Sequence, residues 1–132
     1  MKTRLISVII LIALGFTACE KGPGEGGTST IRGKILVREY NKDFTILVSE
    51  YPGAKEDVYI IYGDDPVYGD RFEANYDGTY EFDYLLEGKY TIFAYTKDSI
   101  FPFTDENIPV IREVEITGKN QVVQVPDITV LR

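Results

Sequence analysis

Residues 75–95 read NYDGTYEFDYLLEGKYTIFAY. Tyr80, Phe82 and Tyr84 alternate with Thr79, Glu81 and Asp83. A period of two marks a strand with one face on a core and the other in water. Asn75-Tyr76-Asp77-Gly78 is a turn signal before it, and Leu86-Glu87-Gly88-Lys89 a second one after it. Each supplies a Gly that takes positive φ without a Cβ penalty. The returning segment, residues 90–95, is apolar or aromatic on both faces. The pattern predicts a hairpin set inside a β-sheet protein.

The same reading places further strands at 30–40, with Gly33 as an expected bulge, and at 44–49, 57–62, 71–75 and 111–117. A last strand or strand pair, 121–131, is interrupted near Pro126-Asp127. Tyr51-Pro52-Gly53-Ala54 and Gly118-Lys119-Asn120 are turns, while 63–70 and 97–109 are longer loops. No window carries a helical period. Seven or more short strands separated by turn signals predict an all-β sandwich or barrel.

The amino terminus breaks this pattern. Lys2 and Arg4 precede a nearly unbroken apolar run over 5–14. That run is too short to span a bilayer, which takes about 20 apolar residues, and it reads as a secretory signal. Phe16-Thr17-Ala18-Cys19 follows. This arrangement resembles the lipobox of bacterial lipoproteins, with Phe16 in place of the usual Leu. The resemblance implies cleavage after Ala18, a diacylglycerol on the Cys19 sulfur and an acyl chain such as palmitate on the new amine. Glu20 is not the Asp that favours inner-membrane retention in that family, so the expected location is the outer membrane, periplasmic or surface-facing. Residues 20–29, EKGPGEGGTS, read as a flexible Gly-rich tether. The expected division is a signal at 1–18, the lipidated Cys and tether at 19–29, and one folded domain at 30–132.

Within the domain, Pro52-Gly53-Ala54, Val58-Tyr59-Ile60, NYDGTYEF over 75–82 and Gly88-Lys89-Tyr90-Thr91-Ile92 with Ala94 resemble the pattern of carboxypeptidase-regulatory-like, prealbumin-like (transthyretin-like) domains. The resemblance implies a seven-stranded Greek-key β-sandwich, common as an accessory module on exported proteins. Its matching positions are turn and core positions, which speak to fold and not to function.

Composition narrows the chemistry. The chain has 132 residues, no His, no Trp, one Cys, ten Tyr and seven Phe. Without His there is no Ser/His/Asp or Cys/His arrangement, and the histidine-dependent hydrolase activity known on this fold is excluded. Carboxylates are abundant but show no distinguishing spacing, and no cofactor motif is present, so the expectation is a non-enzymatic protein. The formal charge is −7, and without Lys2 and Arg4 it becomes −9. Such acidity repels phosphate backbones and argues against nucleic acid. A single Cys cannot form an internal disulfide, so the domain folds on core burial alone.

Two groups of residues are candidates for binding. Asp64, Asp65, Asp70 and Asp77, with Glu73 among them, are hard oxygen ligands suited to calcium. Their spacing matches no EF-hand, however, and hairpin-turn chemistry already explains Asp77-Gly78. No metal site is assigned. Alternation also turns Tyr59 and Ile61 outward on one strand and Phe93 and Tyr95 outward on another. If those strands are neighbours, the four form an apolar patch of the kind that marks a binding surface. The competing expectation is that loop 97–109 covers the patch with Phe101 and Phe103. The expected role is a lipid-anchored accessory or interaction module of the cell envelope; the alternative is a glycan-binding module that uses the Tyr59, Phe93 and Tyr95 face or the Phe101 to Phe103 loop as its ligand surface. Partners would be the membrane, other envelope proteins or glycans.

Overall fold

The computed structural model describes residues 22–101, 104 and 106–132. Cys19, the signal and Glu20 lie outside these residues, as does Phe103. Nine strands are present among the described residues: β1 Glu25–Tyr40, β2 Leu47–Pro52, β3 Asp57–Tyr62, β4 Asp70–Glu73, β5 Thr79–Leu85, β6 Gly88–Lys97, β7 Asn107–Ile116, β8 Val122–Gln124 and β9 Ile128–Leu131. No helix among them is long and apolar enough to cross a membrane.

The strands form two sheets. One is built on β1, which pairs antiparallel with β5 along its first half and with β2 along its second. On its other side β1 pairs in parallel with β8 and then β9. The second sheet has the order β4-β3-β6-β7, antiparallel throughout. A single core fills the space between the sheets, with Ile31, Ile35 and Val37 of β1 meeting Val58, Ile60, Ile92 and Ala94 of the opposite layer. Val125, Ile128 and Val130 close it. The alternation that predicts the strands also sets the inward faces: on β1, Ile31, Gly33, Ile35 and Val37 are buried, and on β3, Val58 and Ile60. The fold is thus the predicted all-β sandwich, with nine strands instead of seven. The interrupted terminal strand accounts for two of them as β8 and β9, divided at Pro126-Asp127.

Four expectations need correction. First, the Gly-rich stretch is not a free tether up to residue 29. Strand β1 begins at Glu25, and Ser29 is buried. Gly27 approaches β5 so closely that a Cβ there would lie 2.0 Å from the Leu85 carbonyl oxygen. Gly27 thus serves close backbone contact and not only freedom. Second, Gly33 is no bulge, because its register with Tyr80 is regular. It is small because a Cβ would meet the Tyr80 hydroxyl at 2.4 Å. The bulges lie instead between Glu25 and Ile31. Third, Tyr84 does not face the core. It takes a φ of 58°, stands 75% exposed, and leaves Leu85 as the buried residue. Fourth, β2 and β7 are displaced from the predicted segments, to Leu47–Pro52 and Asn107–Ile116. Pro109 is tolerated in β7 because that strand is a sheet edge.

Candidate functional site

β3 and β6 are the central pair of the second sheet, and their register places Tyr59 opposite Phe93 and Ile61 opposite Thr91. The neighbours extend that row: Arg71 of β4 lies opposite Tyr59, and Ile111 of β7 opposite Phe93. Because Val58, Ile60, Ile92 and Ala94 point into the core, this row occupies the outer face. The structure therefore brings Tyr59, Ile61, Phe93 and Tyr95 onto one surface.

The rings are ordered against one another. Tyr59 and Phe93 stack with centroids 5.0 Å apart and planes 14° from parallel. Tyr95 meets both edge-on, at 5.7 Å from Tyr59 and 5.6 Å from Phe93. A fourth ring, Tyr68, packs on Tyr59 at 4.8 Å and 61°. Edge-to-face and offset contacts of this kind contribute about 0.5–1.5 kcal/mol each beyond area burial. The stacked pair spends a face of each ring internally. The accessible aromatic surface is then chiefly Tyr68 and Tyr95, 52% and 43% exposed, with Ile111 beside them at 50%. Partial burial, and then the nearby Asp57 carboxylate, push the Tyr59 hydroxyl above its ordinary pKa.

Tyr68 is the member that alternation misses. It sits in the connection between β3 and β4, where no period applies. The loop is folded back by a hydrogen bond from the Gly69 N–H to the Ile60 carbonyl. A Cβ at Gly69 would collide with the Tyr62 ring at 2.2 Å, so the Tyr-Gly pair is the only local signal. Phe101 is exposed and takes part in none of the ring pairs on this face.

At the Tyr95 end the aromatic surface runs into a shallow hollow of about 190 Å³, lined by Lys55, Glu56, Asp57, Tyr59, Tyr95 and Arg132. Arg132 donates to the Glu56 carboxylate and, at 3.2 Å, to the Tyr95 carbonyl. Arg71 lies 3.4 Å from Asp57, and Glu73 sits opposite Asp57 across β4. Two guanidinium–carboxylate pairs, Arg132 with Glu56 and Arg71 with Asp57, thus border the hollow, so hydrogen-bonding groups of both kinds and both signs are present.

The acidic loops do not converge. No group of three or more carboxylates among the described residues is spaced to hold a metal ion. Asp77 instead accepts from the Thr79 N–H at 3.0 Å and from the Thr79 hydroxyl at 2.6 Å. The Thr79 hydroxyl, followed by its N–H, lowers the pKa of that carboxyl. Asp70 accepts from the Arg71 N–H at 2.7 Å.

No family model matches the chain, and no curated protein matches it. Among solved structures it is similar to a candidate carbohydrate-binding protein from Pseudomonas aeruginosa, at 15% identity and a TM-score of 0.48, over 83% of this chain and 91% of that one. It is also similar to an (S)-allantoin synthase, at 14% identity and a TM-score of 0.41, over 75% of this chain and 41% of the synthase. At these values neither likeness bears on what this chain does.

Proposed function

We propose that the chain is a non-enzymatic, lipid-anchored module of the bacterial cell envelope, with a prealbumin-like sandwich, that works by binding through the outer face of the β4-β3-β6-β7 sheet. The observation that carries the binding face is the ordered cluster of Tyr59, Tyr68, Phe93 and Tyr95. Four aromatic rings with Ile111 on an outer sheet face form a larger apolar surface than scattered exposed residues do. Aromatic residues are enriched where binding energy concentrates. The anchor rests on the Phe16-Thr17-Ala18-Cys19 sequence. Two acyl chains or more hold a protein on a bilayer stably, at about 0.8 kcal/mol per buried CH₂.

A second reading makes the ligand a neutral glycan. It is favoured by the placement of the exposed Tyr95 ring beside the charge-balanced hollow. A sugar has an apolar C–H face that stacks on a ring, and hydroxyls that donate and accept in its plane. The juxtaposition of Tyr95 with Glu56, Asp57, Arg71 and Arg132 offers both. An anionic or cationic ligand would call for one sign of charge instead.

Two substitutions test these parts separately. Cys19→Ala is expected to move the protein from the membrane to the soluble fraction, and a variant that stays in the membrane refutes the anchor. Tyr95→Ala is expected to weaken binding at least tenfold; the loss of its two edge contacts also lowers the unfolding midpoint by several degrees, so binding is compared on the folded variant. Unchanged binding refutes the face.

A further inference from the structure

The segment before β1 is docked on the sandwich. Pro23 lies against Gly63 and Gly88, where added Cβ atoms would sit 3.3 Å and 2.3 Å from the Pro23 ring. The Gly24 N–H donates to the Tyr90 hydroxyl at 2.9 Å, and that hydroxyl donates to the Leu86 carbonyl at 2.6 Å. The Leu86 N–H in turn donates to the Gly24 carbonyl at 2.9 Å. Beyond Glu25 the chain is part of β1. Only Glu20, Lys21 and Gly22 therefore separate Cys19 from residues fixed to the domain.

From this we infer that the lipid anchor holds the sandwich in one orientation, with the end formed by the 86–88 and 117–120 turns against the lipid surface and the opposite end, carrying the Tyr95 hollow, pointing away. The inference deepens the proposed function and rests on its reading of Cys19 as the anchor. Four Cα steps from Cys19 to Pro23 span at most about 14 Å. Pro23 packs on Gly88 at the start of β6, and Gly88 pairs with Ile116, just before the 117–120 turn. That turn is itself tied to the start of β1, as Ser29 donates to the Gly118 carbonyl and the Asn120 N–H donates to Thr28. β6 then runs away from this end. Tyr95 lies seven residues on, roughly 23 Å at a strand's rise per residue. β1 runs the same way, so its turn with β2, at Lys42, lies at the far end. A flexible ten-residue tether would let the domain tumble; a three-residue spacer does not.

The test uses the full-length lipidated protein in phosphatidylethanolamine/phosphatidylglycerol vesicles that carry a headgroup-attached quencher. Lys119→Cys and Lys42→Cys, both at exposed positions, each receive one fluorophore, because Cys19 is acylated. Flotation with the vesicles is scored first. The label at 119 is expected to be quenched several-fold more than the label at 42. Insertion of ten Gly/Ser residues between Gly22 and Pro23 is expected to reduce that difference. Flotation with equal quenching of the two labels overturns the orientation and leaves the anchor standing. Failure to float overturns the anchor and the orientation together.

Discussion

Tyr90→Phe isolates the docking of the amino-terminal segment, because it deletes one oxygen and keeps the buried ring. That oxygen accepts from Gly24 and donates to Leu86, so its loss strands an N–H and frees a carbonyl at the edge of the core. A buried polar group left without a partner costs about 1–3 kcal/mol. Leu86 is only half-buried, so its carbonyl regains some water, while the Gly24 N–H stays buried, which places the total near ~2 kcal/mol. For a domain of about 110 residues, with an unfolding entropy of roughly 2.1 cal/mol/K per residue, that lowers Tm by about 9 °C. Urea unfolding measures the free energy, and hydrogen exchange at residues 24–28 reports whether the segment has loosened. Tyr80→Phe is the matched control. The Tyr80 hydroxyl is buried and has no hydrogen-bond partner. Removing it relieves a desolvated group and is expected to be neutral or stabilising by up to about 1 kcal/mol. The same chemical change thus takes opposite signs at two buried tyrosines. A loss below about 0.5 kcal/mol in Tyr90→Phe, with residues 24–28 still protected, would mean that the Tyr90 hydroxyl does not hold the amino-terminal segment.

Two other outcomes follow from the same contacts. Gly88→Ala places a Cβ 2.3 Å from the Pro23 ring at a φ of 145°, a backbone region costly to residues other than Gly. It is expected to destabilise by more than about 1 kcal/mol in urea titration, and full wild-type stability would contradict the packing of Pro23. Alkaline pH is expected to unfold the domain through its buried tyrosines. Burial, and then the Glu25 carboxylate, push Tyr62 up to about 12, and burial raises Tyr80 and Tyr90. A folded-state pKa above the unfolded value near 10 means the stabilising contribution is complete below pH 10 and is lost as pH climbs towards 12. Each such group adds a slope of up to about 1.4 kcal/mol per pH unit. Tyr62→Phe should flatten the fall in Tm over that range, and an unchanged profile would contradict the assignment.

The readable parts of this chain are those governed by a period of two. β3 falls on Asp57–Tyr62 as alternation predicts, and Tyr59 and Phe93 meet because two alternating strands are neighbours. What alternation could not show has local causes. Tyr84 follows the pattern in sequence, but a bulge and a positive φ rotate it to solvent. Pro23, Gly24 and Gly27 have the composition of a linker. Their role appears only against Leu85, Gly88 and Tyr90, residues about sixty positions away. Tyr68 joins the aromatic face from a loop, through a fold-back that involves Gly69. The hollow beside Tyr95 needs Arg132, 37 positions further along the chain, which no local pattern links to it.

Binding through the aromatic face can be read from thermal unfolding of a chain spanning residues 22–132 against a panel of neutral glycans, peptides and envelope proteins. The same panel is then run on Tyr95→Ala and Tyr68→Ala. A ligand at a hundred times its Kd stabilises by about 2.7 kcal/mol, a rise in Tm of roughly 12 °C for this size. Such a rise is expected with one ligand class, and it is expected to be lost in both variants when each is compared with its own unliganded midpoint, which the removed ring contacts lower. A ligand that stabilises the parent and both variants equally would contradict binding through this face, since that ligand would be held elsewhere on the sandwich.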